Sequence, residues 1–78
     1  APRPIWMLEV PEPVAPDQVW LFHWVSGPER IESGWWDSGQ RRDYFRVLDG
    51  NGRLLWIFRD LGTGSAKAGG YYVHGVFG

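Results

Sequence analysis

Residues 45–58, FRVLDGNGRLLWIF, decide the fold class of this 78-residue chain. Their centre, Asp-Gly-Asn-Gly at 49–52, contains the Asp-Gly and Asn-Gly pairs that accept the positive φ angles of tight hairpin turns. The flanking runs are rich in the aromatic and branched side chains that suit a pleated sheet. The sequence therefore predicts a β-hairpin over residues 43–60.

The length of the hairpin loop determines which side chains share a face. A loop of two or four residues keeps the two strands in phase and separates apolar from charged positions. One face then forms the core and carries Phe45, Val47, Leu54, Trp56 and Phe58. The other carries Arg46, Arg53 and Arg59 beside Tyr44, Leu48, Leu55 and Ile57. We therefore expect one core face and one half-basic face.

Outside the hairpin, the chain consists of short apolar runs separated by Gly, Pro and Asp, without the period of an amphipathic helix. We expect strands at 5–10, 19–25, 44–48, 54–59 and 71–77. They predict a small, single all-β domain of about five antiparallel strands, built as a bent sheet or an SH3-like partial barrel. The domain spans 1–78. We expect an extended lead-in with a Pro-rich connector at 1–17, then a core at 18–78 that includes a Gly-rich loop at 61–70.

Composition excludes several classes of protein. With thirteen aromatic residues and no cysteine, side chains alone must fill the core. The net charge of −1 excludes polybasic chains and acidic disordered tails, although charge is uneven, at −4 over residues 1–40 and +3 over 41–59. No apolar run approaches the roughly 18 residues of a membrane span, and the sequence begins without a signal-peptide pattern. We expect a cytoplasmic monomer without membrane contact.

The signals for catalytic or metal chemistry are weak. A metal site would need His23 and His74 to meet beside carboxylates, whereas both alternate with apolar residues as in a packed sheet. No serine lies in a Gly-x-Ser-x-Gly pattern. Residues 62–67, GTGSAK, lack the Gly-Lys-Ser/Thr ending of a phosphate-binding loop. We expect no enzyme activity, no metal and no cofactor.

Arginines interleaved with aromatic rings between residues 35 and 59 form a candidate binding surface. The group contains Arg41, Arg42, Arg46, Arg53 and Arg59 with Trp35, Trp36 and Tyr44. Three interpretations stay open, namely a solvated strand face, a surface for an acidic protein, and a groove that binds single-stranded nucleic acid. Adjacent strand residues point to opposite faces, so the two tryptophans cannot enter one core layer together. An exposed Trp near Arg is typical of an interface hot spot, although coverage by the N-terminal segment explains the pair equally well.

Four motifs in order give the chain a resemblance to a known family. They are residues 27–37 (GPERIESGWWD), 42–45 (RDYF), 55–60 (LWIFRD) and 70–77 (GYYVHGVF), preceded by RPIWML and PEP near the start. Together they resemble the C-terminal domain of ImuB proteins over nearly the whole chain. The ending, HGVFG, differs slightly from the HGLFA that this resemblance leads us to expect.

The resemblance implies a role without catalysis. ImuB proteins are Y-family polymerase-like subunits of the bacterial mutasome that lack the catalytic carboxylates. They link the sliding clamp, a RecA-like ImuA protein and an error-prone C-family polymerase in the SOS response. We therefore expect a protein-interaction module for DNA damage tolerance and mutagenic translesion synthesis, with single-stranded DNA binding as the alternative. The expected partner-binding residues are Trp35, Trp36, Asp37, Arg42, Tyr44, Arg59 and His74.

Residues 18–22, QVWLF, are similar to the Gln-x-x-Leu-Phe peptide with which bacterial proteins dock on the sliding clamp. In that interpretation, Gln18 is held by polar groups while Leu21 and Phe22 fill an apolar pocket. Such a peptide must be free to leave its own domain. Because these residues run into the strand expected at 19–25, we favour a core strand here.

Overall fold

The computed structural model describes residues 4, 6–32, 41–62 and 69–77. These form β1 (Trp6–Pro13), α1 (Pro16–Val19), β2 (His23–Glu32), β3 (Arg41–Leu48), β4 (Leu54–Asp60) and β5 (Tyr71–Val76). The five strands make one antiparallel sheet in the order β1-β5-β4-β3-β2. The prediction of a small all-β domain is confirmed. The described strands form an open sheet with β1 and β2 at its edges, so β1 and β2 lie far apart although they are neighbours in the chain.

The β3–β4 hairpin closes through a loop of five residues, Asp49 to Arg53, between Leu48 and Leu54. The Asp49 carbonyl accepts a hydrogen bond from the N–H of Gly52, whose φ is +80°. Asp49 Oδ1 accepts two more, from the N–H groups of Asn51 at 2.8 Å and Arg53 at 2.9 Å. Asp49 and Gly52 therefore stabilise the turn as their residue types predict, but the loop is longer than the two or four residues expected.

The odd loop changes which side chains share a face, and the expected assignment is wrong. Tyr44 lies opposite Phe58, and Arg46 lies opposite Trp56. Directly opposed residues project from the same side of a sheet. Tyr44 therefore shares a face with Trp56 and Phe58, whereas Phe45 lies on the opposite face.

Both faces of the central strands bury apolar side chains. We call the side of Tyr44, Trp56 and Phe58 the front face; Ile31, Tyr72 and Phe77 pack against it. The side of Val47, Leu55 and Ile57 is the back face, packed by Phe22, Phe45, Tyr71, Val73 and Val76. The expectation of one core face and one half-basic face is wrong, because the sheet has an apolar cluster on each side.

The strand expected at 19–25 begins only at His23. Before it, Pro16–Val19 forms one helical turn, in which the Gln18 N–H donates to the Ala15 carbonyl. Proline at the start of this turn has a preset φ that suits a helix, and its missing N–H has no partner to lose there. The next two side chains, Trp20 and Leu21, project into solvent with 86% and 75% of their surface exposed.

Prolines occupy both edge strands. The N–H of Val14 donates to Tyr71 of β5, so the ring nitrogen of Pro13 faces away from the sheet. In β2, Gly27 has φ +120° and precedes Pro28 through a cis peptide bond. A Cβ on Gly27 would lie 2.7 Å from the Tyr44 carbonyl oxygen. Edges with prolines and bulges are poor templates for an added strand.

Candidate functional site

Three of the expected site residues, Arg42, Tyr44 and His74, form a hydrogen-bonded chain on the front face. Arg42 and Tyr44 lie two residues apart on β3 and therefore project to the same side. His74 is the extra residue of a bulge in β5, between Val73 opposite Ile57 and Gly75 opposite Trp56. The bulge turns the imidazole toward Tyr44, whose hydroxyl lies 2.8 Å from His74 Nδ1. Arg42 Nη1 donates to the same hydroxyl at 3.2 Å.

The direction of this chain follows from its donors. A guanidinium can only donate, so the Tyr44 oxygen accepts from Arg42 and its own proton is available to His74. When that proton is given to His74, Nδ1 is the acceptor and the ring is neutral with its proton on Nε2. Burial, and after it the charge of Arg42, lower the pKa of His74 below its ordinary value. The geometry and the charge environment both favour a neutral imidazole.

Aromatic packing holds these polar groups in place. Tyr44 stacks on Trp56 with ring centroids 4.0 Å apart, and His74 lies nearly parallel to Trp56 at 5.5 Å. The Arg42 guanidinium carbon lies 4.2 Å from the centre of the Phe58 ring. Tyr44 itself is only 4% exposed. This cluster is a packed and satisfied part of the front face, and Arg42 and His74 are its more accessible members.

The expected site residues do not share one face. Arg59 lies opposite Asp43 on the back face, one position along from the Tyr44–Phe58 pair. Asp43 also holds Arg30, whose Nε donates to Oδ1 at 3.0 Å. The expectation that Arg59 shares a face with Tyr44 is therefore wrong. Trp35, Trp36 and Asp37 lie outside the described residues, and partner binding by the set stays a prediction.

Residues 18–22 form a surface turn, contrary to the core strand that we favoured. Gln18 and Leu21 are exposed, as a docking peptide requires. Phe22 is half-buried and packs against the back-face cluster. The clamp-like residues are thus split between solvent and the core.

The described residues show neither a metal centre nor a membrane span. Within 4, 6–32, 41–62 and 69–77, no three His, Asp or Glu side chains come together. No helix in these ranges has the length and apolar character needed to cross a bilayer. The buried polar side-chain atoms described all have hydrogen-bond partners.

Comparison with known proteins finds two matching relatives. The chain is 41% identical to protein ImuB of Caulobacter vibrioides strain NA1000 / CB15N, across 69% of this chain. The chain is homologous to ImuB. ImuB of a second strain, ATCC 19089 / CIP 103742 / CB 15, matches with the same identity and coverage. The aligned region spans 14% of the length of each ImuB relative, consistent with one domain of ImuB. No family model and no solved structure matches.

The homology confirms the ImuB resemblance drawn from the motifs. Among the described residues, several exposed apolar side chains lie outside the expected partner-binding set. Trp20 and Leu21 project from the turn after α1, and Trp24 and Val25 follow at 37% and 50% exposure. Their apolar character in a β-rich chain favoured a core assignment. The sequence did contain a signal for the observed structure. Pro16 followed by an acidic residue is typical of a helix start, and it indicates a helical turn where we expected the strand to begin.

Proposed function

We propose that this ImuB-like domain is a non-catalytic protein-interaction module that acts in DNA damage tolerance and error-prone translesion synthesis. The observation that carries the proposal is the exposure of Trp20 and Leu21, at 86% and 75%, on a turn held between α1 and β2. Adjacent large apolar side chains in solvent are typical of surfaces that a partner covers. Homology to ImuB supports the cellular context.

The arrangement of the turn supports a folded docking surface in preference to a detached peptide. Gln18 and Leu21 are accessible, but Phe22 contacts the cluster of Val47, Leu55 and Ile57. To bind as a free Gln-x-x-Leu-Phe peptide, the segment would have to pull Phe22 out of the back face. Exposing a fully buried large apolar side chain costs about 1.5–3 kcal/mol, so removing the half-buried Phe22 from the core would cost about half of that, and binding would be weaker by this free energy.

The partners that we propose are the mutasome proteins implied by the ImuB resemblance. They are an ImuA-like protein, the sliding clamp and an error-prone C-family polymerase, all in the cytoplasm. The two edge strands, interrupted by Pro13 and Pro28, support docking through side chains. The turn after α1 is the surface that such docking would use.

The test is the double variant Trp20→Ser, Leu21→Ser, with Trp6→Ser as the matched control. Trp6 is also exposed, at 62%, but lies on the edge strand β1. Binding of each mutasome protein and of a single-stranded oligonucleotide is measured by calorimetry, and folding by thermal melts. We expect the double variant to fold normally and lose at least about tenfold in affinity for one protein partner, as for a hot-spot pair.

Retention of all protein binding by the folded double variant would refute this surface. Salt-sensitive oligonucleotide binding without any protein binding would replace the proposal by the single-stranded DNA alternative.

A further inference from the structure

A cleft of about 360 Å³ opens beside the turn after α1. It lies where the end of β1, the α1–β2 turn and the β3–β4 loop meet. Phe22, Leu55 and Val73 line it with apolar surface, and so does Leu21, which has 75% of its surface exposed. The cleft is therefore open to solvent and mixed in character, with apolar side chains of the back-face core beside polar groups such as Gln18 and Asn51.

Two carboxylates line the same cleft, Glu12 from β1 and Asp49 from the hairpin loop. Oδ1 of Asp49 is used by two N–H groups of the loop, and the second oxygen has no partner among the described residues. Glu12 likewise has no ion pair within the described part of the chain. No arginine or lysine is among the described residues that line the cleft. The apolar side chains of this mixed cleft thus lie near two carboxylates that have no ion pair among the described residues.

We propose that this cleft receives an extended segment of a partner protein in which a large apolar side chain is next to a lysine or arginine. The apolar side chain covers Phe22, Leu55 and Val73, while the cation lies between Glu12 and Asp49. The same carboxylates repel phosphate and therefore disfavour a nucleic acid strand at this position. The inference rests on the proposed function as an interaction module and names the partner chemistry at one place on its surface.

The variant that tests the cleft is Glu12→Gln with Asp49→Asn. Both changes remove charge and keep shape, and asparagine retains the Oδ1 acceptor that the loop needs. Glu9→Gln is the matched control, because Glu9 is an exposed carboxylate of the same strand that does not line the cleft. The probes are the peptide acetyl-Gly-Leu-Lys-Phe-Arg-Gly-amide and its counterpart with Glu in place of Lys and Arg.

Binding is followed by NMR chemical shifts. We expect the basic peptide to move the signals of Leu21, Phe22 and Val73 in a saturable way and the acidic peptide to leave them in place. Each neutralised carboxylate should weaken binding about two- to fivefold, the range for exposed charge pairs, while Glu9→Gln has no effect. Raising the salt concentration should reduce the difference between wild type and the double variant.

Three outcomes would overturn the proposal. They are absence of saturable shifts at the cleft, equal affinity in the double variant, and concentration-dependent shifts without peptide, which would assign the cleft to a second copy of the chain. Trp20 does not line this cleft. A loss of partner binding in a Trp20→Ser single variant together with full binding in the Glu12, Asp49 variant would therefore reject the cleft and leave the proposed function standing.

Discussion

Replacing Tyr44 by phenylalanine should destabilise the domain through the loss of one hydroxyl while the ring stays in place. That hydroxyl lies 2.8 Å from Nδ1 of His74 and 3.2 Å from Nη1 of Arg42. Because Tyr44 is 4% exposed, water has little access to the vacated space. A buried acceptor without its donor costs about 1–3 kcal/mol, and the partial exposure of His74 places the loss at about 1–2 kcal/mol. The Tm should fall by about 4–16 °C for a domain of this length.

The assay is urea unfolding followed by tryptophan fluorescence, with the denaturant slope as a check that the transition is unchanged. Tyr72→Phe is the control, because its ring stacks on Phe58 of the same face and the residue is half-buried, whereas Tyr44 is buried. A double-mutant cycle with His74→Phe isolates the hydrogen bond between the two rings. The reasoning is refuted if Tyr44→Phe and His74→Phe are additive within about 0.5 kcal/mol, as for independent sites.

Three further predictions concern other parts of the fold. Gly27→Ala should destabilise by more than about 1 kcal/mol in thermal melts, because φ is +120° and the new Cβ would lie 2.7 Å from a backbone oxygen. Gly50→Ala, with nothing within 4 Å of its Cβ, should melt near wild type; equal effects would contradict the strain at Gly27. Ile57→Ala, at a fully buried position, should cost about 2–5 kcal/mol in urea unfolding, against less than about 0.5 kcal/mol for Val10→Ala at 77% exposure. The pKa of His74 is lowered by burial and then by a nearby arginine, so its contribution to stability is complete above pH 6.5 and declines as the pH falls below that value. His74→Gln should flatten this part of the pH–stability curve, and an unchanged slope would show that another group titrates.

Local chemistry made the fold class predictable. Asp and Gly at 49–52 indicate a reversal of the chain whatever surrounds them, and aromatic and branched runs on either side suit strands. The ImuB resemblance could also be recognised from the sequence, because it depends on motifs in a fixed order along the chain. These features belong to short segments and need no knowledge of what packs against them.

The assignment of faces was not predictable from the same segments. Asp49 accepts two N–H groups through its side chain and accommodates a loop of five residues, which shifts the strand alternation by one position. Whether a strand buries one side or two depends on the rest of the sheet. The alternation pattern alone therefore placed Phe45 and Tyr44 on the wrong faces.

The sequence by itself determined an all-β domain, its central hairpin and its kinship with ImuB, because turn residues, strand-forming runs and ordered motifs act locally. Only the tertiary structure decided that Tyr44, Trp56 and His74 pack together and that Trp20 and Leu21 stay in solvent. An apolar side chain gains free energy from any neighbour that removes it from water. The sequence shows which residues are apolar and gain from burial, whereas the register of the five strands decides which of these residues are buried.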